Sequence, residues 1–238
     1  MKFEKVEGSH LPADYDRKWI TICVLVQFFA NLFINVDMGI LPAGSTLIKQ
    51  ELQIQNSDFG ALGSMVYVGQ TIGSALATSF FAKQNPKLIL GTCLALNIGT
   101  LVLFTVTKAF PVLAICRILT GLFQVFFCIY FPVWADVFGD ELQKSRWLTF
   151  FLIGSPLGVI MGYGMCAAFL HNIGWRWSFY IQCFLLMPSL VGIIMTPRKY
   201  LDINIATQAI KNSKKPTRSD SVLNSPTGTS AKKPLQAD

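Results

Sequence analysis

The chain has 238 residues, of which 52% are apolar and only 14% charged. A soluble domain carries about 25% charged residues, so at a mean hydropathy of +0.47 this sequence cannot cover itself with a water-facing surface. The composition excludes a soluble globular domain and, for most of the chain, intrinsic disorder. It indicates a membrane protein with room for about six spans of roughly 20 residues each.

The net charge of +7 is unevenly placed: from Pro197 onward the chain holds eight of its twenty Lys/Arg and three of its thirteen acids. That distribution reads as membrane topology rather than a nucleic-acid patch. The six cysteines, Cys23, Cys93, Cys116, Cys128, Cys166 and Cys183, all fall in apolar runs and none form CxxC. They read as small packing residues, not as a disulfide framework or zinc site. His10 and His171 make no metal site by themselves. No metal and no cofactor is expected.

Residues 1–18 are polar and of mixed charge, and are followed by a full-length span, so no secretory signal is read there. No Asn-x-Ser/Thr sequon occurs. The first span covers residues 19–41 and carries Gln27, Asn31, Asn35 and Asp37. Residues 49–58 form a loop, in which Ser57 or Asp58 is placed to cap the next helix. The second span, 59–82, repeats Gly69, Gly73 and Ala77 every four residues. This pattern lets helix backbones approach closely in lipid. A short loop with Lys83, Asn85, Pro86 and Lys87 leads to the third span, 88–107, whose one polar feature is Asn97.

Lys108 to Pro111 is a tight connection. The fourth span, 112–137, carries Arg117, Gln124 and Asp136, and a charged loop, 138–146, follows. The fifth span, 147–170, repeats Gly154, Gly158 and Gly162 around Pro156. The sixth runs from Trp175 to 196, with Trp175 and Trp177 placed as interfacial anchors. Residues 197–238, rich in Ser, Thr, Lys and Pro, read as a disordered cytoplasmic tail or linker. With both termini cytoplasmic, the inside segments hold sixteen Lys/Arg and the outside loops three, Lys49, Lys108 and Arg176, with Arg117 intramembrane. The excess on one side sets that orientation.

Asp37 and Arg117 carry most of the functional signal, because a charge at mid-bilayer is costly and faces a cavity or a partner. Asp37 lies about five residues before the outer end of span one, and Arg117 about six after the outer start of span four. At 1.5 Å per residue both sit roughly 7–9 Å deep, so they are neighbours if spans one and four pack together. One reading is a titratable site that takes up a proton or releases Arg117 for an anionic solute. The other is a permanent ion pair that only fixes packing. Gln124 lies two turns deeper on the face of Arg117, and Asn31 and Asn35 share a stripe. With Tyr67 and Gln70 of span two, these define either a polar cavity between spans one, two and four or interhelical glue. No Ser-His-Asp set, carboxylate pair or metal cluster is present, so no enzyme is expected.

Arg117-Ile-Leu-Thr-Gly121 resembles the RxxxG motif of the major facilitator superfamily, and Gly154-Ser-Pro156-Leu-Gly158 resembles the Gly/Pro motif of its fifth span. Between spans two and three that superfamily carries G-x-x-x-D-[RK]-x-G-[RK]-[RK]. Residues 78–87 match it at Lys83 and Lys87 and depart at both glycines, the Asp and one basic position. Asn35-Val-Asp37 and residues 131–138, followed by Arg146, resemble the spinster-like branch. Members of that branch usually have a Glu where this chain has Gln124.

The resemblance covers residues 19–196 and implies an all-α, polytopic membrane protein, one six-helix half of a secondary transporter that rocks two halves about a midplane site. It implies a small organic or lipid-like solute, a lipid bilayer around the chain, and proton coupling at Asp37. It also implies a cytoplasmic latch, for which Lys83 pairs with Asp136 and Arg146 lies nearby. Gly69, Gly73, Gly121, Gly154, Pro156, Gly158 and Gly162 serve helix packing. A second six-helix half, on a continuation of this chain or on another chain, is the expected partner. A fragment, an assembling half and a non-transporting scaffold or degenerate paralogue remain the alternatives. The plasma and endolysosomal membranes are not distinguished.

Overall fold

The computed structural model describes residues 15–169 and 174–213. They form α1 (Arg17–Ile34), α2 (Asp37–Ala43), α3 (Ser45–Leu52), α4 (Asn56–Lys83), α5 (Pro86–Val106), α6 (Phe110–Phe138), α7 (Glu141–Phe169), α8 (Arg176–Met195), α9 (Arg198–Leu201) and α10 (Ile203–Ser213), with no strand among the described residues. His10, His171 and the serines of the basic tail (Ser219, Ser221 and Ser225) lie outside the described residues.

Five segments are long and apolar enough to cross a bilayer: α1 with α2, α5, α6, α7 and α8. The sixth expected span, α4, has the length at 28 residues, but Gly, Ser, Thr and Gln dilute its apolarity. It packs lengthwise on α6 and completes the bundle. The contact is a backbone approach. A Cβ added at Gly69 would stand 1.9 Å from the Ile118 carbonyl, and one at Gly121 2.0 Å from that of Val66. A second close crossing joins α1–α2 to α7. There, added Cβ atoms at Gly158 and Gly162 would each stand 2.1 Å from a carbonyl, of Leu32 and Val36 respectively. Without a hydrophobic driving force in lipid, such close packing holds helices together.

Several local expectations are corrected. The first span is not one helix: it stops at Ile34 and restarts at Asp37. The loop 49–58 shrinks to residues 53–55, because α3 runs to Leu52 and α4 begins at Asn56. Gln55 takes the N-cap position of α4, and Asp58 serves from inside the helix by accepting from the Gln55 N–H at 3.3 Å. The charged loop 138–146 shrinks to Gly139–Asp140, since α7 begins at Glu141. Five cysteines are buried, but Cys128 is exposed. Trp177 is 51% exposed, as an anchor would be, whereas Trp175 is buried.

Trp175 belongs to a clasp at the end of the bundle where α2 finishes. Its Nε1 donates to Glu51 Oε2 at 2.7 Å. Arg176 binds the other oxygen of Glu51 and donates through Nε to the Thr105 carbonyl at 2.7 Å. Partial burial alone would raise the Glu51 carboxyl. Hydrogen bonds from Arg176 and Trp175, with the charges of Arg176 and Lys108, outweigh it and hold the group below its ordinary value. The clasp ties α3 to the ends of α5 and α8.

At the opposite end, residues 198–213, expected as unstructured linker, are helical and docked. Trp134 Nε1 donates to the Tyr200 carbonyl at 2.8 Å, and the Tyr130 hydroxyl to that of Leu201 at 2.5 Å. Tyr200 and Leu201 are each 2% exposed. Asp202 starts α10 by accepting from the N–H groups of Asn204 and Ile205. The apolar residues here are too few for a span, which hides them in a hydropathy reading. Two of them, with donors from α6, are enough to anchor a short helix.

Candidate functional site

The break in the first span organises the site. Around Asn35 and Val36 the backbone tightens to three-residue bonds: Asn35 N–H to Leu32 O at 3.3 Å, Val36 N–H to Phe33 O at 3.4 Å, and Met38 N–H to Asn35 O at 3.3 Å. Inside a bilayer an interrupted helix needs other donors for its carbonyls. Two glutamines supply them. Gln182 of α8 donates to Phe33 O at 2.9 Å and Ile34 O at 3.4 Å, and Gln124 of α6 donates to Ile34 O at 3.2 Å.

One residue past the break, Asp37 Oδ2 accepts from Arg117 Nη1 at 2.5 Å, with side-chain exposures of 0% and 2%. The guanidinium also stands 5.4 Å from the centroid of the Phe104 ring on α5. The pair is not fully satisfied. Among the described residues, Asp37 Oδ1 and Arg117 Nε have no hydrogen-bond partner, nor do Gln124 Oε1, Gln182 Oε1, or either amide atom of Gln27. Such polar groups are costly to bury, and they gather along the broken span.

The structure brings Asp37, Arg117, Gln124, Asn31 and Asn35 together. Asn35 donates to the Asn31 carbonyl at 2.7 Å, and Asn31 to the Phe151 carbonyl of α7 at 2.8 Å. It does not bring in Tyr67, 60% exposed, or Gln70. The glycine face of α4 is spent on α6, and neither side chain hydrogen-bonds to the cluster among the described residues. The cluster lies between α1–α2, α6 and α8, not between spans one, two and four. Sequence reasoning missed Gln182, although a lone Gln in the apolar run of α8 was a visible signal.

The expected Lys83–Asp136 pair is absent. Asp136 is bound by Lys144, which the tight α6–α7 turn folds back onto it. Both groups are well exposed at 39% and 61%, so this pair adds little stability. Arg146 is exposed beside it.

A family model described as Major Facilitator Superfamily matches residues 23–231. The chain belongs to the major facilitator superfamily. This facilitator chain is thus an integral, multi-pass membrane protein, and its six long helices form one half of that fold. It is 26% identical over 182 residues to a probable sphingolipid transporter, spinster homolog 1, of Arabidopsis thaliana, covering 76% of this chain and 36% of the relative. It is likewise 26% identical to protein spinster homolog 1 of Xenopus laevis, covering 71% and 33%. The chain thus spans about a third of the length of these relatives. Among solved structures, a bacterial homologue of the human lysosomal transporter Spinster, inward-facing and unoccupied, superposes with a TM-score of 0.63 at 11% identity, covering 76% of this chain and 43% of that one. A proton:xylose symporter superposes with a TM-score of 0.64 at 16% identity, covering 83% and 53%.

Proposed function

We propose that this chain is one half of a secondary transporter that moves a small organic or lipid-like solute by alternating access, coupled to protons at Asp37. The observation that carries the reading is the Asp37–Arg117 pair, closed to solvent and set one residue past a break in the first span. Discontinuous helices at such depth form binding sites in transporters, and intramembrane ionisable residues are functional by default. Protonation of Asp37 would cancel its hold on Arg117 and free the guanidinium for an anionic group on the solute. The names of the plant relatives as probable sphingolipid transporters favour a lipid-like solute. A second six-helix half, on the same polypeptide or another, supplies the opposing wall, in keeping with relatives about three times as long. The excess of Lys and Arg at the end of the bundle where α1 starts supports a cytoplasmic side for both termini.

The test is reconstitution of the chain, with and without a second half, in vesicles carrying a pH-sensitive dye and supplied with a lysosphingolipid. Asp37→Asn is expected to abolish pH-driven uptake in the assembled transporter. Proton-coupled flux that survives this substitution would refute the coupling role.

A further inference from the structure

At the end of the bundle where α1 begins, the α4–α5 turn and α9–α10 enclose a cleft of about 260 Å³. Lys83 and Arg198 line it, with the carboxamides of Asn85, Asn204 and Gln208. The one carboxylate present, Asp202, is otherwise engaged: its side chain is 6% exposed, and it accepts from Arg198 Nε and from two N–H groups at the start of α10. No carboxylate pairs with Lys83 among the described residues, and Arg198 is 60% exposed.

We infer that this cleft binds a phosphate group, carried by the headgroup of an anionic lipid. An ammonium, a guanidinium and several carboxamide donors around one opening match a tetrahedral oxyanion. Charge-assisted bonds to such a group are about twice as strong as neutral ones. A neutral solute would leave Lys83 without a counter-charge among the described residues, since Asp202 pairs with Arg198 alone. The position favours the lipid-borne source. The turn joins the ends of two long helices, α4 and α5, where a bundle that crosses a bilayer meets the headgroups. Lys18, Lys87 and Lys144 sit at the same end of the helices, where basic residues are drawn to anionic lipid. Lys87 is not available to the cleft, because it is bound to the carbonyls of Ile194 and Thr196 at the end of α8. A bound phosphate would bridge the α4–α5 turn to α9–α10 and hold the segment leading out of the bundle against the membrane surface.

The experiment measures equilibrium binding of a fluorescent short-chain phosphatidic acid to the purified full chain in neutral detergent. The competitors are a diacylglycerol of the same chain length and free glycerol phosphate. Phosphatidic acid is expected to bind at least tenfold more tightly than diacylglycerol. Lys83→Gln and Arg198→Gln should each weaken it about tenfold, and Lys18→Gln, outside the cleft, should change it less than twofold. Glycerol phosphate competing only at far higher concentration supports the lipid source. Glycerol phosphate binding as tightly as the lipid keeps the phosphate site but overturns that source. Diacylglycerol binding as tightly as phosphatidic acid, or a Lys83→Gln variant of unchanged affinity, overturns the site. Lys83 is exposed and unpaired with any acid, so its variant tests the inference even if Arg198→Gln disturbs α9.

Discussion

Deleting one partner of the Asp37–Arg117 pair should destabilise the bundle severely, while deleting both should not. The two side chains are sealed from solvent, and a single 2.5 Å bond joins them. Breaking such a pair leaves an uncompensated buried charge, at a cost of about 3–5 kcal/mol. Asp37→Leu leaves the guanidinium with the Phe104 ring, a contact worth about 2 kcal/mol when desolvated, so this variant falls at the lower end of that range. Arg117→Met strands the carboxylate, whose Oδ1 has no other donor, and falls nearer the upper end. The double variant removes both charges together with the unpartnered Asp37 Oδ1 and Arg117 Nε. Replacing a buried ion pair by apolar residues of similar volume is often neutral or stabilising, so the double variant should lie within about 1 kcal/mol of the parent. The assay is reversible unfolding in mixed micelles, followed by intrinsic tryptophan fluorescence, as a double-mutant cycle. Single variants that each lose less than about 1 kcal/mol, or a double variant whose loss equals the sum of the two, would refute the reasoning. A stable double variant that no longer transports would separate the pair's functional role from any structural one.

Gly69→Ala should lower the unfolding midpoint by an overpacking cost of about 1–3 kcal/mol, because its Cβ would press on the Ile118 carbonyl. Gly63→Ala, with nothing within 4 Å of the new Cβ, should be neutral or gain up to about 1 kcal/mol; similar losses at both positions would contradict the close α4–α6 packing. The Glu51 carboxyl sits below its ordinary value in the fold, so its contribution is fully present above the unfolded carboxylate value of about 4.3 and is lost as pH falls through the lower, folded value. Acidification through that window should change the fluorescence of Trp175, bonded to Glu51, and Glu51→Gln should remove this acid-dependent change. Trp134→Phe deletes the bond to the Tyr200 carbonyl, worth about 1 kcal/mol; amide hydrogen exchange in residues 198–213 should speed up while α5 stays unchanged, and unaltered exchange would show that α9–α10 docks by other means.

The superfamily was legible in short stretches, above all Arg117–Gly121 and Gly154–Gly158. Those patterns encode local needs, a buried cation and a close helix approach, that any chain of this fold must meet. The neighbourhood of Asp37 and Arg117 was legible as well, since depth in a bilayer follows from counting residues along two antiparallel spans. Tyr67 and Gln70 were misplaced for a related reason. Periodicity shows that α4 has a small-residue face, but not that this face is consumed by α6, which leaves both side chains without a hydrogen bond to the cluster among the described residues.

Apolar content and span-length periodicity were enough to establish a six-helix membrane bundle, because lipid forces each crossing to satisfy its own backbone and leaves that demand written in consecutive residues. The break at Asn35–Val36 is different in kind. It is tolerated only because Gln124, 90 residues from its carbonyl partner, and Gln182, 148 and 149 residues from its two, bring donors to Phe33 and Ile34. Asp136 takes Lys144 in place of Lys83 because a two-residue turn folds α7 back on α6. Tyr200 and Leu201 become anchored because α6 offers an indole and a phenol to their carbonyls. In each case the deciding partner comes from another helix, and only the packed bundle determines which helix that is.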